Sequence, residues 1–148
     1  MEYEIELDEL EQRDTAVFRG HAREEAMGDF IGLAFRQVMG ALRGQPVDGP
    51  PFARYSMVGD GFDVEAGFPV PEPIAAAGQV EPSTLPGGTV ATTMHVGSYA
   101  DLAGAYSALE GWFAANGFEA AGDPWETYLD GPEVDAPRTI ISWPCQAT

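Results

Sequence analysis

The sequence predicts an α+β fold. Two pseudo-symmetric strand-helix-strand-strand halves form one antiparallel sheet, with both helices packed on one face and a groove between the halves. Three observations carry this expectation. The hydrophobic period switches from two to 3.6 and back, twice along the chain. A shift of 73 residues overlays Val17 on Val90, Ala41 on Ala114, Gly44 on Gly117, Tyr55 on Tyr128 and Pro71 on Pro144 without a gap. The chain has 148 residues, about one domain's worth, and one helix with a few strands is too little to bury a core alone. The reading is therefore a single domain over residues 1–148, with internal halves at about 1–72 and 75–148.

The elements follow in order. Glu2, Glu4 and Glu6 alternate with Tyr3, Ile5 and Leu7, the pattern of a half-buried strand, and Thr15 to His21 is read as its continuation after a break. From Glu24 to Leu42 the residues Met27, Phe30, Ile31, Ala34, Phe35, Val38 and Leu42 fall on one helical stripe. Glu24 and Glu25 suit its first turn and Arg43 its end, and Gly44 stops it. Phe52 to Val58 and Phe62 to Val70 read as strands joined by Gly59-Asp60-Gly61. After Pro69, Pro71 and Pro73, strands are expected at Ala75 to Val80 and Thr89 to Val96, around the turn Leu85 to Gly88. Ser98 caps a second helix, with Asp101 completing a capping box and Leu102, Tyr106, Leu109 and Phe113 on its apolar face. Asn116-Gly117 ends it, and Trp125 to Leu129 and Arg138 to Trp143 close the sheet.

Composition removes several functional classes. Seven Lys and Arg against 24 Asp and Glu leave a net charge of -17. Phosphate recognition rests on basic side chains releasing counterions, so direct nucleic-acid binding is not expected, and neither is docking on an anionic membrane. A weak preference for cationic ligands follows from the long-range field. The lone Cys145 allows no internal disulfide and no Cys-based zinc site. The opening MEYEIELDEL has neither the basic nor the apolar region of a signal peptide, and no apolar run approaches the roughly 18 residues of a membrane span. A cytoplasmic, acidic protein, monomeric or weakly dimeric, is the expectation.

The candidate chemistry lies in strands. His21 and His95 have no metal-ligand spacing, and no phosphate loop or nucleophile elbow is present, so neither metal nor cofactor is expected. In Trp125-Glu126-Thr127-Tyr128-Leu129, Trp125, Thr127 and Leu129 share one face and Glu126 and Tyr128 the other. With the apolar set turned to the helices, Glu126 and Tyr128 would face the groove. The repeat matches Tyr128 with Tyr55 and Glu126 with Ala53, so a charge enters only one half. An aromatic-walled pocket with a single anion suits a lipophilic cation. An exposed, solvated Glu126 fits the same spacing. Glu65, in Asp63 to Phe68, is a second candidate carboxylate, and a carboxylate pair is also compatible with acid-base catalysis.

Several stretches, taken together in order, resemble the GyrI-like effector-binding domain, the ligand-binding module of many AraC- and MerR-type regulators. They are Gly49 to Tyr55, Asp63 to Val70, Leu85 to Gly88, His95 to Tyr99, Ala105 to Trp112 and Trp125 to Tyr128. The resemblance implies the duplicated α+β sheet and multidrug-type binding of lipophilic, often cationic compounds around one acidic residue, which by motif is Glu126. It implies an aromatic lining at Tyr55, with Glu65 and Phe68 from the second motif. Tyr99, Tyr106, Trp112 and Trp125 read as core, and His95 as structural.

No DNA-binding helices precede the first strand, so a stand-alone module is expected. Three roles stay open for it. The first is binding of a lipophilic cation by Glu126, Tyr55, Tyr128, Glu65 and Phe68. The second is hydrolysis of a cyclopropanoid or other electrophilic natural product, with Glu126 and Tyr55 as catalytic candidates. The third is a gyrase-inhibitor-like interaction through the acidic surface. Whether the protein is an enzyme is left undecided by the residues.

Overall fold

The computed structural model describes residues 2–148. The fold is mixed α+β with antiparallel strand pairing and two helices. By its contacts the chain divides into two compact units, Gln12–Pro86 and the stretch ending at Glu11 together with Gly87–Thr148. The internal boundary thus differs from residues 1–72 and 75–148. The first strand belongs with the second unit, and residues 75–86 belong with the first.

The unit Gln12–Pro86 contains β2 (Arg13–Ala22), α1 (Met27–Leu42), β3 (Phe52–Val58), β4 (Gly61–Pro69) and β5 (Val80–Leu85). Its strand order is β3-β4-β2-β5. The apolar stripe forms α1 as expected. Ala34, Val38 and Leu42 are buried, and Phe30 meets Phe18 while Phe35 meets Phe68 across ring-centroid distances of 5.8 and 5.6 Å. Glu24–Ala26 winds as a 3-10 turn before the helix. Arg43 and Gly44 take left-handed φ of 49° and 85°, which ends it. Val58 pairs with Gly61, so the hairpin loop is Gly59-Asp60.

The strand expected at Ala75 to Val80 begins instead at Val80. Gly78, with φ 59°, lets Ala77 and Val80 exchange backbone hydrogen bonds of 2.9 and 3.0 Å around a tight turn. β5 then runs to Leu85 along β2, and Pro82 is tolerated because, within this unit, β5 has no other neighbour. β2 does not continue the N-terminal strand: it pairs with β4 and β5, whereas β1 (Glu6–Leu10) pairs with β6 (Gly88–Val96).

The second unit contains β1, β6 (Gly88–Val96), α2 (Leu102–Asn116), β7 (Phe118–Ala120), β8 (Trp125–Tyr128) and β9 (Arg138–Ala147). Its order is β1-β6-β9-β8, with β7 on the end of β9. Ala105, Leu109 and Phe113 of α2 pack on Ala91, Ile141 and Cys145, with Tyr3 and Ile5 against the same cluster. The alternation of Tyr3 and Ile5 with exposed Glu2 and Glu4 holds, but β1 itself is exposed throughout. Ser98 Oγ accepts from Ala100 N at 3.1 Å and starts the 3-10 turn Tyr99–Asp101. Asp101 makes no side-chain capping bond, so the reciprocal half of the box is missing. Gly117, φ 74°, closes α2. β7 was not foreseen, because three residues carry no periodicity.

The duplication is visible in the ladders. β4 lies between β3 and β2, as β9 lies between β8 and β6. Tyr55 pairs with Val64 and Tyr128 with Thr139. A gapless 73-residue shift would place Val64 on Pro137, so β9 has slid two residues, a step that keeps every side chain on its face.

Candidate functional site

β8 is short, and both of its faces are covered: Trp125 is 4% exposed and Glu126 6%. Register decides which face looks where. Glu126 lies opposite Ile141, and Ile141 belongs to the cluster under α2. Glu126 therefore points toward α2, and Trp125, opposite Ser142, points the other way. The alternation was right, but the expectation that Trp125, Thr127 and Leu129 face the helix is corrected. Because both faces are buried, polarity could not choose between them.

Tyr106 of α2 donates from its hydroxyl to Glu126 Oε2 at 2.6 Å, and Tyr128 donates to Oε1 at 2.8 Å. Tyr106 follows Leu102 by one turn on the face carrying Leu109 and Phe113, so packing aims its ring at the sheet. Tyr128 reaches Glu126 because residues two apart share a strand face. Burying a carboxylate is costly unless its oxygens accept hydrogen bonds, and short O–H···O⁻ bonds are the strong kind.

Aromatic rings surround this triad. Tyr99 meets Tyr128 edge-on at 5.8 Å, Tyr106 meets Trp143 at 5.8 Å, and Trp143 meets Phe113 at 5.4 Å. The turn after β8 is braced. Tyr99 donates to the Asp130 carbonyl at 2.8 Å, and Arg138 binds the Asp130 carboxylate through Nε at 2.8 Å and a terminal nitrogen at 3.2 Å. Hydrogen bonds from Arg138 lower the Asp130 pKa from its ordinary 3.8. Burial, then Glu133 and Asp130, raise that of Tyr99. On the same face of the sheet, buried His95 donates from Nε2 to the Ser98 carbonyl at 2.9 Å and in its neutral form accepts from the Tyr3 hydroxyl at 2.8 Å.

Of the expected site residues, this unit brings Glu126 and Tyr128 together and adds Tyr106, which had been read as core. The helical stripe already aimed Tyr106 at the sheet; what was missing was the side on which Glu126 lay. Tyr55 and Phe68 belong to the other unit. There Tyr55 packs on Phe62 at 6.1 Å and Phe68 on Phe35 of α1. Glu65 lies on the face of β4 opposite to Phe68 and to Val64, the partner of Tyr55. It is bound by Arg19 Nε at 3.3 Å and accepts from the Ser83 hydroxyl at 2.7 Å. Among the described residues no group of three or more His, Cys, Asp or Glu is placed to hold a metal ion, and no helix is long and apolar enough to cross a membrane.

Solved structures share the whole architecture. The chain superposes on the EcmrR C-terminal domain with a TM-score of 0.86 at 24% identity, covering 100% of both. It also matches EcmrR in its DNA complex (EcmrR-RPo), at 0.84 and 24%, covering 99% of this chain but only 58% of that one. SAV2435 bound to tetraphenylphosphonium is similar at 0.71 and 12%, covering 99% and 94%. No curated protein matches the chain. The fold is that of a family of small-molecule binding modules. Residues 4–144 match the GyrI-like small molecule binding domain, and the chain belongs to that family.

Proposed function

We propose that the protein binds lipophilic, cationic small molecules, with Glu126 as the anion and Tyr106, Tyr128, Tyr99 and Trp143 as its aromatic surroundings. The observation that carries this reading is a carboxylate 6% exposed and bonded to two phenols at 2.6 and 2.8 Å beneath α2. An incoming cation adds a Coulomb attraction that is much larger in a low-dielectric surrounding than at the surface. Rings around the carboxylate add cation–π attraction. A lipophilic cation is favoured over a small ammonium ion because it gives up less hydration on entering. Tetraphenylphosphonium, the ligand named for the structural neighbour SAV2435, is an appropriate probe.

The test is calorimetric titration with tetraphenylphosphonium and with neutral triphenylphosphine oxide. Glu126→Gln should weaken the cation about 10- to 100-fold and leave the neutral compound within about threefold. Equal losses for both, or no loss for the cation, would refute the reading. A water adduct formed from a cyclopropane-bearing electrophile and absent with Glu126→Gln would favour hydrolysis instead.

A further inference from the structure

β1 forms a ladder on one side only. Glu6 to Leu10 pair with Thr92 to Gly88 of β6, and among the described residues no strand occupies the other side. All five residues are exposed. An edge of this kind presents unpaired backbone donors and acceptors to any extended chain. Its side chains specify which chain. Glu6, Asp8 and Glu9 lie on the strand, Glu2, Glu4 and Glu11 flank it, and the first basic residue is Arg13. Leu7 and Leu10, 42% and 37% exposed, supply apolar contact between the charges. Thr92 and Thr89 hydroxyls hold the Asp8 and Glu9 carboxylates to the strand, Thr92 at 3.2 Å.

A second copy is a poor occupant. Antiparallel pairing centred on Asp8 would set Asp8 against Asp8 and bring the Glu side chains onto the same strand pair, and like charges across a ladder destabilise it. We infer that the outer edge of β1 accepts an extended, basic peptide segment of another protein, which adds a strand to the sheet and places Lys or Arg side chains on the face that carries Glu6 and Asp8. Backbone bonds supply the affinity in this mode, and the charges select the sequence. This site is separate from Glu126, which lies under α2.

The experiment uses the full chain, nitrogen-15 labelled, and three capped hexapeptides. These are alternating Lys-Val, alternating Glu-Val, and Lys-Val with every backbone amide N-methylated. Lys-Val should shift the amide resonances of Glu6–Leu10, and lose about tenfold in affinity between about 20 and about 500 mM NaCl. The other two peptides should leave those resonances in place. The variant Glu6→Gln/Asp8→Asn, with an unchanged amide spectrum elsewhere, should bind Lys-Val about three- to tenfold more weakly, as two exposed charge pairs on one face are lost. Equal binding of the N-methylated peptide would reduce the effect to diffuse charge and overturn the proposal. So would binding of Glu-Val, or a stable homodimer whose contacts map to Glu6–Leu10.

Discussion

Tyr106→Phe isolates one atom of the candidate site. The ring stays, and with it the edge contact to Trp143 at 5.8 Å; the hydroxyl that donates to Glu126 Oε2 at 2.6 Å is lost. Glu126 is 6% exposed, so water does not readily replace the phenol. A hydrogen bond to a charged, buried acceptor is worth about 1.5–3 kcal/mol. For a chain of this size each kcal/mol moves Tm by about 2–4 °C, so a fall of roughly 3–12 °C is expected. Urea unfolding of the wild type, Tyr106→Phe, Glu126→Gln and the double variant closes a thermodynamic cycle. Against the neutral amide the cost of losing the hydroxyl should fall by at least half, giving a coupling of about 1 kcal/mol or more. If Tyr106→Phe costs the same in both backgrounds within about 0.3 kcal/mol, the hydroxyl does not serve the carboxylate and the site as described is wrong.

Three further outcomes follow from the packing and the charges. Leu109→Ala empties a fully buried position beneath α2 and should cost about 2–5 kcal/mol in urea unfolding. Gly67→Ala would drive its Cβ into the Ala16 carbonyl oxygen on the neighbouring strand. Since backbone cannot swing aside as a side chain does, a large loss of soluble, folded protein is expected, read by circular dichroism. Asp130 has a depressed pKa in the fold, so its bond to Arg138 stabilises the protein above the ordinary carboxylate range, and that contribution is lost as pH falls through the folded value. Stability curves of the wild type and Arg138→Gln should therefore be separated at neutral pH and converge below about pH 3.8, the ordinary Asp value; a constant gap across that range would contradict the assignment.

Much of this molecule was legible in its residues, for identifiable reasons. The stripe from Met27 to Leu42 and the pair Gly59-Asp60 are local signals, and the fold honours both. Gly117 ends α2 with the left-handed φ its position implied. The start of β5 was misread because Gly78 makes a turn inside an apolar run, and Ala75 to Ala77 look the same to a periodicity argument whether or not they pair. The register of the repeat was missed because a slide of two residues leaves the alternation unchanged. At the site, the partition of Glu126 and Tyr128 from Trp125 was local and correct, whereas the side on which each face lies depends on Ile141, fifteen residues further on in another strand. Tyr106 could be placed at the carboxylate only once that side was known. Glu65 looked like Glu126 in its own strand, and its hydrogen-bond partner Arg19 comes from a different strand that local alternation does not reveal.

The most direct test of the central claim is a crystal structure of the protein with tetraphenylphosphonium. The phosphonium centre is expected within about 6 Å of the Glu126 carboxylate, with phenyl rings against Tyr106, Tyr128 or Trp143. Full occupancy at a place that leaves Glu126 and both phenol bonds untouched would contradict it.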